Sequence, residues 1–499
     1  MNFLSTTFIV LFLPATFLGF FLLRSIAPKW SIPFLVMMSL GFLASNSLLS
    51  LCLIIGTICV NRSCARYMVD LPEHRTAILL VGLIANIASV AWFKLNPTAH
   101  PSSGDFFLVA GIPLGLSFYA FKQVTYLLDR YENRAPDAPL SQYLLFSTFF
   151  AHLPAGPITP YRVLQPQLLR LSSERVDLGL LAAGTALAIV GAFKLRFFSG
   201  HIGALTTPVY EAAKSGAETC GPEAVVASFG FLLELYYNFS GYSDIAIGIA
   251  LCLGLRLSPN FDSPLKSFRL GDYVMRWHMS LIQFARNYFF FYLQRALARN
   301  IPFRRALWRR VAAWTLSVLV TFPMVMLWHS VDRVTLAVSI LGALAVIVAS
   351  FLRLRSRPGP AEGGLFTRVV GFGVCISVAS LSVVFLRGGD LNTALNILAG
   401  LGNWGGQYSL LSIGAPGVET CPTLSKAPTD IIGLAILFLA AAIAFLAPNS
   451  SRMFGTLPQQ NGTLIFKPSL AWAAFLGVLG WLAWLSNTPL SGFVIYENF

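Results

Sequence analysis

Thr7-Phe-Ile-Val-Leu-Phe-Leu-Pro-Ala-Thr-Phe-Leu-Gly-Phe-Phe-Leu-Leu23 carries no charge, and Arg24 and Lys29 follow it. No basic residue precedes the run and no small-residue cleavage site follows it. It therefore reads as a retained first membrane span with its N-terminus outside, not as a signal peptide. Further apolar runs fall near 32–45, 47–60, 76–95, 106–128, 178–198, 224–253, 311–329, 334–352, 367–386, 430–447 and 469–486. The second and third spans are short for a hydrocarbon core that needs about 20 helical residues. Over the whole chain 56% of residues are hydrophobic and only 11% charged, against roughly 25% charged in a soluble domain. This excludes a soluble globular enzyme and a disordered chain, and gives an all-α polytopic membrane protein.

The net charge of +14 would suggest nucleic acid in a soluble protein. Here it follows from the excess of Lys and Arg in cytoplasmic loops, and no nucleic-acid partner is expected. With the N-terminus outside, Arg62, Arg66 and Arg75 share one cytoplasmic loop; Arg130, Arg134, Arg162, Arg170 and Arg175 another; Arg353, Arg355, Arg357 and Arg368 a third. Asn96–Asp105 lacks basic residues, and Gly200–Glu223 holds only Lys214. Both read as outer loops, as does Gly388–Thr429. The last two carry Cys220 and Cys421, which could pair in an oxidising compartment. The seven cysteines include no CxxC or zinc spacing, and no metal site is expected. Lys94, Lys122, Lys194 and Arg196 fit the charge pattern less well; Lys122 is deep enough to need a partner.

Two hydrophobic regions are broken. Leu140–Leu153 is too short to span and ends in Pro154-Ala-Gly-Pro157. Irregular backbone at membrane depth survives only inside protein or along a cavity, so this is a packed re-entrant turn or a cavity wall. Arg256–Arg310 is basic and aromatic and reads as a segment along the cytoplasmic interface. No fixed-period repeat or inverted symmetry is evident.

Ionisable groups within apolar segments are costly, which makes them functional candidates. His329 ends the run Thr321–Trp328, where a desolvated imidazole favours the neutral, proton-accepting form; the competing role is a bond to a backbone carbonyl. His278 lies in Arg276-Trp-His-Met-Ser280, where an interfacial aromatic-belt position is the simpler reading. His152 precedes the proline break and could cap or line it. His74, His100 and His201 fall in or near loops. Asp244 follows Ser240-Gly-Tyr242-Ser243; Tyr242, Ser240 and Ser243 could donate to it in a bracing network or a proton relay.

Phe239-Ser-Gly-Tyr-Ser-Asp-Ile-Ala-Ile-Gly248, Pro259-Asn-Phe261, Arg276-Trp-His278-Met-Ser280 and Leu327-Trp-His329 occur in this order. Together they resemble the membrane-bound O-acyltransferases, in particular the bacterial alginate O-acetyltransferase-like branch. Gly115-Leu-Ser-Phe-Tyr-Ala-Phe, Tyr126-Leu-Leu-Asp129-Arg-Tyr131, His152-Leu-Pro-Ala-Gly-Pro157-Ile and Val383-Val-Phe-Leu-Arg387 fit as well. The likeness runs from about residue 1 to 400. It implies a helical bundle with cytoplasmic and periplasmic funnels meeting at a thin centre. The chain reads as one integral membrane domain over 1–499, with a core at 1–400 and C-terminal spans plus an extracytoplasmic tail at 401–499.

By the resemblance, His329 matches the principal catalytic histidine and His278 the second, on the side where the donor enters. The donor is acetyl-CoA or an acyl-phosphopantetheine carrier, and no cofactor stays bound. The acyl group passes across the bacterial inner membrane, and an exported acyltransferase within a polysaccharide synthesis or secretion complex places it on a polymer. Phe493-Val-Ile-Tyr496-Glu-Asn-Phe499 resembles the tail of such exporters, in which Tyr496 would take the acyl group; the simpler reading is an interfacial anchor. Trp328-His329-Ser330 replaces the usual Trp-His-Gly, the glycine-rich turn after the Arg-Trp-His segment is missing, and Gly271-Asp-Tyr-Val-Met275 lacks most of the usual charged and aromatic residues. These departures bear on the acceptor and partner surface, and also fit an inactive paralogue. Other readings are a lipid or protein O-acyltransferase of the family, a proton-coupled transporter using His329 and Asp244, and a non-catalytic secretion scaffold. No GxSxG elbow or Ser-His-Asp triad is evident, which argues against a serine acyl-enzyme.

Overall fold

Apolar runs punctuated by proline, glycine and short polar caps fold into helices in the order the hydropathy dictates. The computed structural model describes residues 3–46, 48–95, 115–303, 305–327, 332–355, 364–404, 428–458 and 464–486. Its first half contains α1 (Leu13–Ile26), α2 (Ser31–Ala44), α3 (Leu48–Asp70), α4 (Arg75–Leu95), α5 (Leu116–Tyr131), α6 (Leu140–Thr148), α7 (Tyr161–Arg170), α8 (Leu178–Phe193), α9 (Gly200–Lys214), α10 (Gly221–Val225) and α11 (Phe231–Cys252). There follow α12 (Leu270–Arg276), α13 (Met279–Ala285), α14 (Phe291–Asn300), α15 (Ala306–Leu327), α16 (Arg333–Arg355), α17 (Leu365–Gly388), α18 (Leu391–Gly400), α19 (Pro428–Leu446), α20 (Ser450–Met453) and α21 (Leu470–Leu485). No strand occurs among the described residues. The protein is an all-α, multi-pass membrane protein.

Seven helices among the described residues are long and apolar enough to cross a membrane: Thr7–Ile26, Leu48–Asp70, Pro72–Trp92, Leu178–Lys214, Ala306–Leu327, Arg333–Leu352 and Leu365–Gly388. Pro28–Ala44, Ile431–Leu446 and Leu470–Leu485 are shorter apolar helices. Leucines, valines and isoleucines along these helices face outward, Leu18, Leu22, Val81 and Ile84 among them, as a hydrocarbon solvent requires.

One helix faces no solvent. Every residue of α11 is buried, including Glu234, Asn238 and Asp244. Against it lies α8, and the two backbones touch through paired glycines. A Cβ on Gly184 would fall 2.5 Å from the carbonyl oxygen of Gly248, and one on Gly191 would fall 2.6 Å from that of Gly241. The contact is reciprocal: a Cβ on Gly241 would meet the Gly191 oxygen at 2.7 Å. The order 184 to 248 and 191 to 241 makes the helices antiparallel. A separation of two turns puts both glycines of each helix on one face, so small residues bring the backbones together as in other membrane helix pairs.

The expected outer loop Gly200–Glu223 is largely helical instead. Asp177 caps α8 through bonds from the Gly179 and Leu180 N–H groups. A π-type turn at Lys194–Ser199 then carries the helix into α9, giving a continuous Leu178–Lys214. At 1.5 Å per residue such a helix is about 55 Å long, well beyond a hydrocarbon core of about 30 Å. Charge density signalled that the segment leaves the apolar layer, but not that it stops being a helix. Likewise, the expected loop beginning at Gly388 contains α18, capped by Asp390.

The first two basic loops lie together with the end of α1. Arg62 donates to the Ala138 carbonyl at 2.9 Å, Arg75 to the Arg130 carbonyl at 3.1 Å, and Arg24 to the Glu174 carbonyl. Elsewhere the Gly221 N–H donates to the Asn403 carbonyl at 2.9 Å, and Thr219 N–H to Asn396 Oδ1 at 3.3 Å. The 200–223 and 388–404 stretches therefore share a surface. Cys220, in the first, is disulfide-bonded, whereas Cys52, Cys59, Cys64, Cys252 and Cys375 are free; Cys421 lies outside the described residues.

Candidate functional site

The chain after α11 cannot continue as a helix. Gly254 takes φ +83°, and Pro259 and Pro264 interrupt the segment that follows. Its turn places Asn260, which is fully buried, against the Arg276–Ser280 stretch. There α12 ends at Trp277 in extended backbone, and His278 adopts φ 45°, ψ 51° before α13 begins. A left-handed conformation at a residue with a Cβ costs about 1–2 kcal/mol and needs holding.

Asn260 supplies much of the hold. Its backbone carbonyl accepts the Met279 N–H at 2.8 Å. Its side-chain Oδ1 accepts from Ser280 Oγ at 2.6 Å, from the Ser280 N–H at 3.4 Å, and pairs with His278 Nδ1 at 3.2 Å. Its Nδ2 donates to Ser243 Oγ at 2.9 Å. A backbone N–H can only donate, so the atom facing Ser280 is the amide oxygen. Nδ1 of His278 must then carry the proton, which makes Nε2 the basic nitrogen of the neutral ring. Phe239 of α11 meets the imidazole edge-on with centroids 4.5 Å apart.

Ser280 Oγ also accepts the Ile158 N–H at 3.0 Å, joining the histidine segment to the proline break. Residues 145–159 are buried throughout, although the helix ends at Thr148. The Pro154–Pro157 break is thus a re-entrant turn packed in protein. His152 is part of that packing: its Nε2 lies 3.2 Å from the Phe146 carbonyl. The same carbonyl accepts from Lys122 at 3.3 Å, and the Ser147 carbonyl accepts from Lys122 at 3.1 Å. Lys122 therefore has carbonyl partners rather than a carboxylate. His201 Nδ1 sits 2.7 Å from the Phe197 carbonyl within its own helix.

A cavity of about 420 Å³ adjoins this region, lined by Tyr273, Trp277, Arg286, Val325, Met326 and Phe385 among others. One wall is the residue before His278. Another is the last turn of α15, whose sequence runs on to Trp328-His329. His329 and Tyr496 lie outside the described residues. The cavity is almost wholly apolar, with Arg286 as its cation.

Asp244 has different donors from those expected. Its Oδ2 accepts from Lys194 Nζ at 2.6 Å and Ser450 Oγ at 2.8 Å, and Lys194 also donates to Ser450 at 2.8 Å. Ser243 is turned to Asn260, the Tyr242 ring stacks on Phe3 at 5.0 Å, and Ser240 Oγ makes no hydrogen bond among the described residues. An ammonium from α8's continuation outcompetes neutral hydroxyls on the same helix, because in a weakly screened interior the charged donor gains far more. The network expected around Asp244, Tyr242 and Ser240 is thus an ion pair between elements. Lys194, a poor fit to the charge pattern, is its cation.

Three further pairs were not legible as pairs. Glu234 meets Arg387 at 2.6 Å, with the guanidinium between the Tyr210 and Phe231 rings. Buried Asp129 accepts from Tyr288 at 2.8 Å and faces Arg134 and Arg162, each at 3.4 Å. Asp262 takes two bonds from Arg452, at 2.8 and 2.6 Å. Asp129 and Arg387 stood out in motif strings, but apart from the nearby Arg134 their partners are 33 to 159 positions away. Asn260 likewise sat in the Pro-Asn-Phe string without a role.

No family model matches the chain. Among curated proteins, the chain is 27% identical over 473 residues to a peptidoglycan O-acetyltransferase of Helicobacter pylori, covering 85% of this chain and 82% of the relative. It is 28% identical over 223 residues to a probable alginate O-acetylase AlgI of Azotobacter vinelandii, 42% of this chain and 43% of that protein. It is 23% identical over 289 residues to a teichoic acid D-alanyltransferase of Streptococcus thermophilus, 55% of this chain and 68% of the relative. With the helical architecture and the ordered motifs, these relatives make the chain similar to the membrane-bound O-acyltransferases, and to the alginate O-acetylase-like branch among them.

Proposed function

We propose that the protein moves an acyl group, an acetyl group in the first instance, from a cytoplasmic thioester donor across the bacterial inner membrane for O-acylation of an exported polysaccharide or cell-wall polymer. The observation that carries this reading is the buried His278, whose tautomer Asn260 sets, beside an apolar cavity bounded by the helix that leads to His329. The three relatives support the same reading: a peptidoglycan O-acetyltransferase, a probable alginate O-acetylase and a teichoic acid D-alanyltransferase.

A hydroxyl is a weak nucleophile near neutral pH and needs a base within hydrogen-bond reach. In our reading His329 takes the hydroxyl proton while the oxygen attacks the thioester carbonyl. The C–S bond breaks, the acyl group ends as an ester, and the departing sulfur takes up the proton as a thiol. His278, on the donor side, orients the carbonyl or passes the proton through Nε2. The donor, acetyl-CoA or an acyl-phosphopantetheine carrier, is anionic, and the basic Arg256–Arg310 segment favours its approach. Tyr496 is the relay hydroxyl on the outer face, and an exported acyltransferase of a polysaccharide synthesis or secretion complex carries the ester onward.

The test is ester content of the exported polymer from strains that accumulate each variant equally. His329→Ala should lower it by about 10²–10⁴ in rate, the usual loss for a general base. Tyr496→Phe keeps the ring and should block ester from reaching the polymer. Wild-type ester content in the His329→Ala strain removes the catalytic assignment; full acylation with Tyr496→Phe reduces the tail to an anchor.

A further inference from the structure

A second cleft, of about 300 Å³, sits where the ends of α1, α7, α8 and α11 meet. It shares no lining residue with the cavity beside Trp277. Four arginines border it: Arg24, Arg170, Arg175 and Arg256. Glu174 and Asp177 are its only carboxylates, and both are engaged. Asp177 Oδ1 accepts the Gly179 and Leu180 N–H groups that begin α8, at 2.8 and 3.1 Å. Glu174 lies 3.9 Å from Arg170. Two arginines are held by the fold: Arg24 donates to the Glu174 carbonyl, and Arg256 to the Gly455 carbonyl at 3.0 Å. Arg170 and Arg175 are exposed, and Arg175 makes no ion pair among the described residues. The cleft thus keeps an excess of positive charge with donors in reserve.

Its surroundings are apolar and outward-facing. Leu22 and Ile26 of α1, Leu169 of α7, Val176 and Leu178 at the start of α8 are all exposed. An anion arriving from water alone would need no such rim. A molecule with a phosphate at one end and hydrocarbon at the other would satisfy both. Clusters of arginine beside the cytoplasmic ends of membrane helices, next to lipid-facing leucines, have the chemistry of anionic headgroup sites. Arginine suits the task because its planar fork bonds two phosphate oxygens at once.

We infer that this cleft binds the phosphodiester headgroup of an anionic phospholipid, with Arg170 and Arg175 as the exchangeable contacts and Arg24 and Arg256 as fixed ones. The bound lipid would clamp α1 and α7 to the junction of α8 and α11. Apart from Arg256, which opens the basic segment assigned to donor approach, this site shares no residue with the proposed acyl-transfer machinery and stands or falls without it.

The test uses the full-length protein in nanodiscs of phosphatidylcholine doped with phosphatidylglycerol, followed by native mass spectrometry of the released complex. Wild type should retain phosphatidylglycerol over phosphatidylcholine, and Arg170→Gln with Arg175→Gln should lower that retention by about tenfold. Equal retention by wild type and the double variant overturns the site. Millimolar inorganic phosphate and coenzyme A form the competing arm. Displacement of the lipid by either one overturns the lipid assignment in favour of a soluble phosphate ligand. If the double variant aggregates, Arg175→Gln alone is scored by the same retention ratio, and an unchanged ratio is equally fatal.

Discussion

The α8–α11 crossing and the Asn260–His278 turn lie next to each other through Phe239 and Ser243, yet they are held by opposite means. At the crossing, atoms are missing: four glycines let two helix backbones touch. The helices are regular, and their one charged contact, Lys194 with Asp244, is an ion pair. At the turn, atoms are added: a single amide side chain takes three contacts at Oδ1 and gives one from Nδ2. The backbone it holds includes a histidine in the left-handed region. The first arrangement is rigid because nothing can be inserted. The second is specific because each donor has one acceptor in reach. Membrane helices can pack closely without polar contacts, but an imidazole proposed to act on a substrate must be aimed and its tautomer chosen, and only hydrogen bonds do that.

The comparison breaks most severely at the glycines. Gly241→Leu places a side chain where even a Cβ would be 2.7 Å from the Gly191 oxygen. The expected cost is at least about 3 kcal/mol, and the folded protein should be lost. Size-exclusion of detergent extracts reads this out, and a monodisperse peak at wild-type yield would show that α8 and α11 can separate. Next in size is Lys194→Met, which leaves Asp244 buried beside Ser450 without its cation. A loss of about 3–5 kcal/mol is expected, mostly recovered when Asp244→Leu is added. Thermal melting of the single and double variants distinguishes this from a proton path, where both would melt alike and only activity would fall.

Asn260 sharpens the other half. Asn260→Ala should cost about 10² in kcat, since misplacing a reacting group by about 1 Å has that effect, and should also lower the melting temperature because Ser243, Ser280 and His278 lose a buried partner. Asn260→Asp keeps the acceptor for His278 Nδ1 and should restore part of kcat while shifting its pH profile upward, because a carboxylate stabilises the imidazolium. Equal kcat and KM in all three proteins would leave Asn260 a packing residue. The smallest effect is expected at the cap of α18. Bonds from the Thr393 hydroxyl and N–H, at 2.6 and 2.8 Å, hold the Asp390 carboxyl below its ordinary value, the hydroxyl foremost. A depressed carboxyl stabilises the fold above its unfolded pKa, and this contribution disappears as pH falls through the folded value. Asp390→Ala should therefore speed amide exchange across Leu391–Gly400 by about fivefold at neutral pH, and less in acid. The same exchange at both pH values in the two proteins would dispense with the cap.

Composition and run length alone determined that the chain is a helical membrane protein, because lipid leaves a chain no other way to satisfy its backbone over so many apolar runs. The positions of basic residues grouped the first two of the three basic loops, as the Arg62, Arg75 and Arg24 contacts show. Pro154-Ala-Gly-Pro157 was legible as a buried break, since proline removes a donor wherever it falls. His278 was legible as a candidate only through the Arg-Trp-His motif it shares with the family it resembles; by position alone an interfacial belt residue was the simpler reading. The partners were not legible. Lys194 finds Asp244 fifty positions away, Arg387 finds Glu234, and Asn260 finds both Ser243 and His278. Gly184, Gly191, Gly241 and Gly248 read as ordinary residues of apolar helices until the backbones they bring together are known. A sequence records which side chains the membrane must hide. Which of them hide against each other depends on how the helices cross, and contacts across a crossing leave no periodicity in either strand of text.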